Sequence, residues 1–302
     1  MKALKKYRWP LTGALLGALV FLAVYGVRVL DPTSVDWILN NPSPDPAQHY
    51  LGWELFRRSP VHLPYIGANY NAVYPFRTSV LFTDSLPLAA LFFKLLGGIL
   101  PMRFQYFGWW GLACYMLQGG LAQAVIARIA GVQPTFGRDD KSKAAISMSP
   151  GQTAKLWGSV LGAGVLVLFP ALTIRMFAHT ALAANWLVLL ALYLWLRSDE
   201  LMPTTRRACL VWAGMGLLCA GILLYYLPMV GLVLVGYAVR RALQKRGPAA
   251  VLAPIAAFCA AALAELVLLG AFAVNFAGYS NGYLSGADYF GLFVPWLAQS
   301  WE

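Results

Sequence analysis

Residues 85–101, SLPLAALFFKLLGGILP, decide how this chain is threaded. The run is apolar, but it is short for a membrane crossing, it contains Lys94, and Pro87 and Pro101 bound it. If it crosses a bilayer, every later loop changes sides. The basic residues settle the choice. They gather in the N-terminus (Lys2, Lys5, Lys6, Arg8), the loop from Arg128 to Lys155, the loop from Arg197 to Arg207, and Arg240-Arg241 with Lys245-Arg246, together 16 of the 23. With 85–101 kept on one side, all four groups face the cytoplasm, as the positive-inside rule requires; with it spanning, the rule fails. The segment therefore reads as an interfacial or re-entrant helix on the outer side.

The rest of the chain supports a membrane setting. Apolar and aromatic residues make up 60% and charged residues 12%, against about a quarter charged in soluble domains. Several apolar runs exceed the length needed to cross a bilayer. The expected fold is an all-α integral membrane protein, one transmembrane domain over 1–302 with about seven transmembrane helices. The first span is 11–30, and its basic flank and lack of a small-x-small cleavage site make it a retained helix rather than a signal peptide. Residues 31–104 form a long first external loop carrying interfacial helices. The remaining spans lie within 105–274, at roughly 105–128, 157–175, 180–196 and 249–274. Residues 208–239 would reach about 48 Å as one helix, well past a core of about 30 Å, so they are expected to form two helices turning at Pro228. Residues 275–302 read as an external segment.

A net charge of +11 placed in short loops argues for a membrane, not a nucleic acid, as partner. Cys114, Cys209, Cys219 and Cys259 lie in or beside apolar runs without metal-ligand spacing, which suits packing.

This threading collects the reactive residues on the outer face: His49, His62 and His179, the five acids of the first loop (Asp31, Asp36, Asp45, Glu54, Asp84), Arg175, the Tyr225-Tyr226 turn and Asp288. Asp45 has two readings of equal weight. It is a general base placed to take a proton from an acceptor hydroxyl, or an N-cap followed by Pro46 at the first position of a helix over 46–58. His49 lies four residues on, on the same helix face, where it orients an acceptor, shares a metal ion or sits as a polar interface residue. Asp84 caps the interfacial helix, holds a divalent cation such as magnesium or manganese together with Asp45, or holds the acceptor. Arg57, Arg58, Arg77 and Arg175 are candidates for a phosphate because guanidinium binds it as a fork. Arg57 and Arg58 equally suit snorkelling to headgroups. Gly13/Gly17 and Gly158/Gly162 have close-packing spacing. Glu265 is a carboxylate deep in the last apolar run. Neither a nucleotide loop nor a zinc signature is present.

Asp45 with Gln48–Trp53, Thr83–Leu88, and His179, Leu182 and Trp186 together resemble the pattern of an uncharacterised bacterial multi-pass family related to the GT-C membrane glycosyltransferases. The similarity runs in order through most of the chain. It implies a catalytic carboxylate in the first external loop, helices lying along the membrane, a polyprenyl-phosphate-linked sugar as donor and inversion at the anomeric carbon. Carried onto this chain, it makes Asp45 the base and puts Asp84 and His179 near the pocket. It also implies that relatives continue beyond Glu302, so that a partner chain supplying further spans is expected.

The function expected is transfer of a sugar from a polyprenyl-phosphate donor to an external hydroxyl of a glycan or lipid. His49, Arg57, Arg77, Asp84, Arg175 and His179 bind substrate in this reading. The setting is the bacterial cytoplasmic (inner) membrane, with the N-terminus in the cytoplasm and the active face outward among membrane lipids. A lipid-carrier flippase or transporter and a non-catalytic assembly subunit are the alternatives. The transporter would place charged residues mid-membrane on broken helices.

Overall fold

The computed structural model describes residues 8–73, 76–132 and 149–272. The segment 275–302 with Asp288, the first seven residues and most of the Arg128–Lys155 loop lie outside the described residues, as does the side chain of Arg77. The fold is mostly helical. Three helices are long and apolar enough to cross a membrane: Phe107–Ile129, Tyr226–Leu243 and Pro248–Leu268.

In chain order the principal helices are α1 (Arg8–Tyr25), α2 (Pro44–Arg58), α3 (Pro87–Leu95), α4 (Phe107–Ile129), α5 (Pro150–Val167), α6 (Pro170–Arg175), α7 (Trp186–Leu196), α8 (Thr205–Ile222), α9 (Tyr226–Leu243) and α10 (Pro248–Leu268). Leu161, Val165, Leu210, Leu232, Leu252 and Leu263 on these helices are exposed, as residues facing lipid rather than water would be.

Close backbone approach joins α1 to α4. A Cβ on Gly13 would stand 2.3 Å from the Gly119 carbonyl oxygen, and one on Gly17 2.0 Å from that of Tyr115. Only glycine permits this contact. The second glycine pair is only half used: Gly162 abuts Ile126, while Gly158 faces open space.

Several boundaries correct the sequence reading. The expected span 157–175 breaks at Phe169, because Pro170 has no N–H to donate and its ring clashes with the preceding turn; α5 ends at Val167 and α6 starts afresh at Pro170. The run 208–239 does divide, but the turn is Leu223–Tyr225. Pro228 sits in the first turn of α9, where a missing N–H costs nothing.

The first loop is not purely helical. Strands β1 (Ala68–Val73) and β2 (Phe76–Ser79) pair antiparallel, with Ala68 opposite Ser79, Asn69 opposite Thr78, and an irregularity before Val73 opposite Phe76. This hairpin corrects the all-α expectation. It is fixed to the end of α10 by Ser79 Oγ donating to the Leu269 carbonyl at 2.6 Å. Four and six residues are too few for alternation to stand out beside long apolar runs.

Helix α3 has nine residues, about 14 Å, less than half of a bilayer core. Lys94 explains its own presence in this apolar helix. Its ammonium donates to the Phe56 and Ser59 carbonyls, both at 2.8 Å, and lies 3.9 Å from the centre of the Phe56 ring. It thus satisfies orphan carbonyls at the end of α2, and burial lowers its pKa to about 8.

The bundle has two chemically distinct ends. At one, Arg128 Nη2 meets Glu200 Oε1 at 2.9 Å, and Arg241 Nη1 meets Asp199 Oδ1 at 2.8 Å, with Arg240 also paired to Asp199 and Arg197 to Glu200. At the other, α2, the hairpin and α3 lie over the ends of α1, α4 and α10 and the α8–α9 turn, held there by the α3–α8 packing and by Ser79–Leu269.

Candidate active site

Helix α2 builds the floor of the site. Its N-cap is Ser43, with Pro44 at the first helical position, so the helix begins two residues before the 46–58 expected. Asp45 is consequently inside the first turn, not at the cap, and no side-chain bond caps this terminus. The capping reading of Asp45 is corrected: Pro44, not Pro46, takes the position that its fixed φ favours. Asp45, His49 and Gly52 then follow along one helix face. Below them, Trp53 and Phe56 are fully buried. Trp53 Nε1 donates to the Phe104 carbonyl at 3.0 Å and packs edge-on against Tyr106, which fixes the roll of α2.

Thr83-Asp84-Ser85 lies directly on this face. A Cβ on Gly52 would stand 2.5 Å from Thr83 Cβ and 2.7 Å from Ser85 Oγ, so the absent side chain is what lets the turn approach. Ser85 Oγ donates to the His49 carbonyl at 2.7 Å, and Tyr106 Oη donates to the Ser85 carbonyl. Asp84 and Leu86 both adopt left-handed backbone, with φ +53° and +55°. Each such non-glycine residue costs about 1–2 kcal/mol, and such strain gathers at functional sites. Asp84 does not cap α3, whose N-cap is Leu86 with no side-chain bond; the capping reading fails here too, because the turn aims the carboxylate at α2 instead.

Asp84 Oδ2 faces His49 Nε2 at 3.2 Å. The other ring nitrogen, Nδ1, faces Thr180 Oγ1 at 3.5 Å. Thr180 is positioned by Trp110, whose Nε1 donates to its carbonyl at 3.0 Å. The preceding residue, His179, turns Nε2 towards Asp45 Oδ2 at 3.7 Å. Two carboxylates and two imidazoles from three separate segments thus converge. His49 is buried, whereas Asp45 and His179 remain about a third exposed, so the site has an open side. Burial pushes the Asp84 carboxyl up to about 6, opposed by His179 and reinforced by Asp45. Burial likewise pushes the His49 imidazole down to about 4. At neutral pH a carboxylate therefore faces a neutral imidazole.

The arginines lie elsewhere. Arg57 donates to the carbonyls of Leu100, Pro101 and Met102, the shortest at 2.7 Å to Pro101, and so fastens the turn after α3. Arg175 is exposed at the end of α6, its carbonyl accepting from the His179 N–H at 2.9 Å. Arg77 is in β2, with only its backbone described. His62 is exposed and stacks edge-on with Tyr70. Glu265 lies one turn from the end of α10, beside Gly221. Sequence reasoning missed Thr180, Ser85 and Gly52. Gly52 had a local signal, a glycine on the buried face of an amphipathic helix, but no partner to explain it.

Residues 14–301 match the model of a domain of unknown function, DUF6311. The chain belongs to the DUF6311 family. Neither a curated protein nor a solved structure matches it. In this DUF6311 chain residues 45, 49, 84 and 179 come together in one place.

Proposed function

We propose that this DUF6311 chain is a GT-C-type membrane glycosyltransferase, with seven spans formed by α1, α4, α5, residues 180–196 (α7 and the turn that leads into it), α8, α9 and α10. In this reading the basic end lies in the cytoplasm and the Asp/His end faces outward, in a bacterial cytoplasmic membrane. The donor is a polyprenyl-phosphate-linked sugar and the acceptor is a hydroxyl of an envelope glycan or lipid. Asp45 takes the hydroxyl proton as that oxygen attacks the anomeric carbon. The bond from the anomeric carbon to the phosphate oxygen breaks on the opposite face, its electron pair leaves with the carrier phosphate, and the configuration inverts. A phosphate leaving group needs no strong acid, so one placed carboxylate suffices.

The observation that carries the reading is that Asp45 is free of the capping role and stands, one-third exposed, in a cluster with His49, Asp84 and His179. Exposed Phe92, Leu95, Ile99 and Met102 on and after α3 support a site at the membrane surface, since such side chains seat an interfacial helix beside which a lipid-linked donor would present its headgroup. Glu265 near one end of its helix, rather than midway, gives little support to a transport path.

The test is the pool of polyprenyl-phosphate sugars, measured by mass spectrometry in wild-type cells, deletion cells and cells expressing Asp45→Asn at the wild-type level. One lipid-linked sugar is expected to accumulate in both mutants. An unchanged pool in the deletion cells would remove the transferase reading.

A further inference from the structure

We propose that His49, Asp84 and His179 hold a divalent transition-metal ion of the zinc class at the mouth of this site. One donor atom from each of the three residues lies within 4.8 Å of the others. Two ligands of a tetrahedral ion, each at about 2.1 Å, stand about 3.4 Å apart. The contact between two of the proposed ligands, 3.2 Å for His49 Nε2–Asp84 Oδ2, is close to that spacing.

Three further observations point the same way. Asp84 Oδ1 is buried and accepts no hydrogen bond from any described residue, an arrangement that costs about 1–3 kcal/mol unless something else binds there. His49 is nine-tenths buried, and its second nitrogen is met by Thr180 Oγ1, the outer-shell partner that fixes ring orientation in metal-bound histidines. The backbone strain at Asp84 and Leu86 serves to aim this carboxylate. Two imidazoles with a carboxylate select a zinc-like ion, whereas carboxylates alone, as in an Asp45–Asp84 pair, would suit magnesium or manganese.

Three protein ligands leave a coordination position open, and the exposed sides of Asp45 and His179 put it outward. That is the pattern of a catalytic rather than a structural site. The role that follows rests on the transferase reading: the ion holds an oxygen of the carrier phosphate and draws charge from it as the sugar departs, while Asp45, beside it, handles the acceptor proton.

The experiment uses the full chain, purified in detergent without a polyhistidine tag, stripped with chelator and titrated with zinc. Bound zinc is read by elemental mass spectrometry, and cobalt substitution gives the coordination from its visible spectrum. A single equivalent of zinc is expected, with affinity falling by at least about 100-fold in His49→Ala. His179→Ala, at a half-open position, guards against loss by misfolding and is expected to behave alike, with an unchanged unfolding midpoint in chelator. Wild-type protein that retains no zinc, or retention unaltered in both variants, overturns the proposal. Zinc held by wild type and lost by the variants, in protein whose deletion leaves every lipid-linked sugar unchanged, keeps the metal site and removes the transferase. Sugar transfer that continues at full rate in zinc-free protein keeps the transferase and removes the role of the ion in it.

Discussion

The two ends of this bundle treat charge in opposite ways. At the basic end Arg241 is almost fully buried and fully answered: Asp199 at 2.8 Å, Gln244 at 3.1 Å, and the carbonyls of Ser198 and Met202 at 3.2 and 3.3 Å. Its neighbours Arg128, Arg197 and Arg240 each have a carboxylate. At the other end an aspartate in left-handed backbone faces a neutral histidine, one of its oxygens accepts no hydrogen bond from a described residue, and a second Asp–His pair stands slightly too far apart to bond. Complete pairing fixes structure. Incomplete pairing, held in place by strained backbone and close packing, leaves capacity for a ligand. The difference separates the end that anchors the helices from the end to which the proposed reading assigns the chemistry.

The largest expected effect comes from breaking the reactive end at its base. Asp45→Asn should lower sugar transfer by at least about 100-fold with the thermal midpoint unchanged, since Asp45 caps nothing. Comparable transfer by the variant, measured in membranes at matched expression, would move the base elsewhere.

Gly52→Ala tests whether close packing aims Asp84. The added Cβ would collide with Thr83 and Ser85, at an expected cost of about 3 kcal/mol, and transfer should fall with stability. A midpoint in detergent equal to wild type would mean the turn relaxes without loss.

Asp84→Asn tests the burial of charge. The folded pKa of Asp84 is raised from 3.8 to about 6. Its stabilising contribution is therefore present in full below pH 3.8 and is lost as pH rises through 6. In chelator-treated protein the Asn variant should gain on wild type across that window, on the order of 2 kcal/mol, and the difference should level off above it. A difference in midpoint that does not change between acid and neutral pH would contradict the assigned burial.

The smallest effect belongs to the paired end. Asp199→Ala should destabilise by about 1–2 kcal/mol, because Arg241 keeps its carbonyl partners, and it should leave transfer per folded molecule intact. A selective loss of transfer would show that the two ends are not separate in function.

What was legible in the sequence followed from long-range periodicity and charge. The helical bundle, the break between α8 and α9, and the failure of 85–101 to reach across a bilayer all come from runs many residues long, where hydrophobicity overrides local detail. The roles of Asp45 and Asp84 were not legible, because capping and catalysis demand the same residue types. One proline position decided the first: Pro44 starts the helix and releases Asp45. The second depended on Leu86 becoming the N-cap, a choice imposed by packing of Ser85 against α2 rather than by propensity. Thr180 had no signal at all, since its partner His49 is distant in sequence and long-range anchors such as Trp110 and Tyr226 bring its turn near. The hairpin escaped because its strands are short and irregular in register.

The central claim is that the Asp/His end transfers a sugar outward while the basic end only holds the helices. The most direct measurement is the envelope glycan profile by mass spectrometry of a deletion strain complemented with wild type, Asp45→Asn or Asp199→Ala at equal levels. One sugar should be missing with the empty vector and with Asp45→Asn, and restored by wild type and by Asp199→Ala. A profile restored equally by Asp45→Asn would contradict the account.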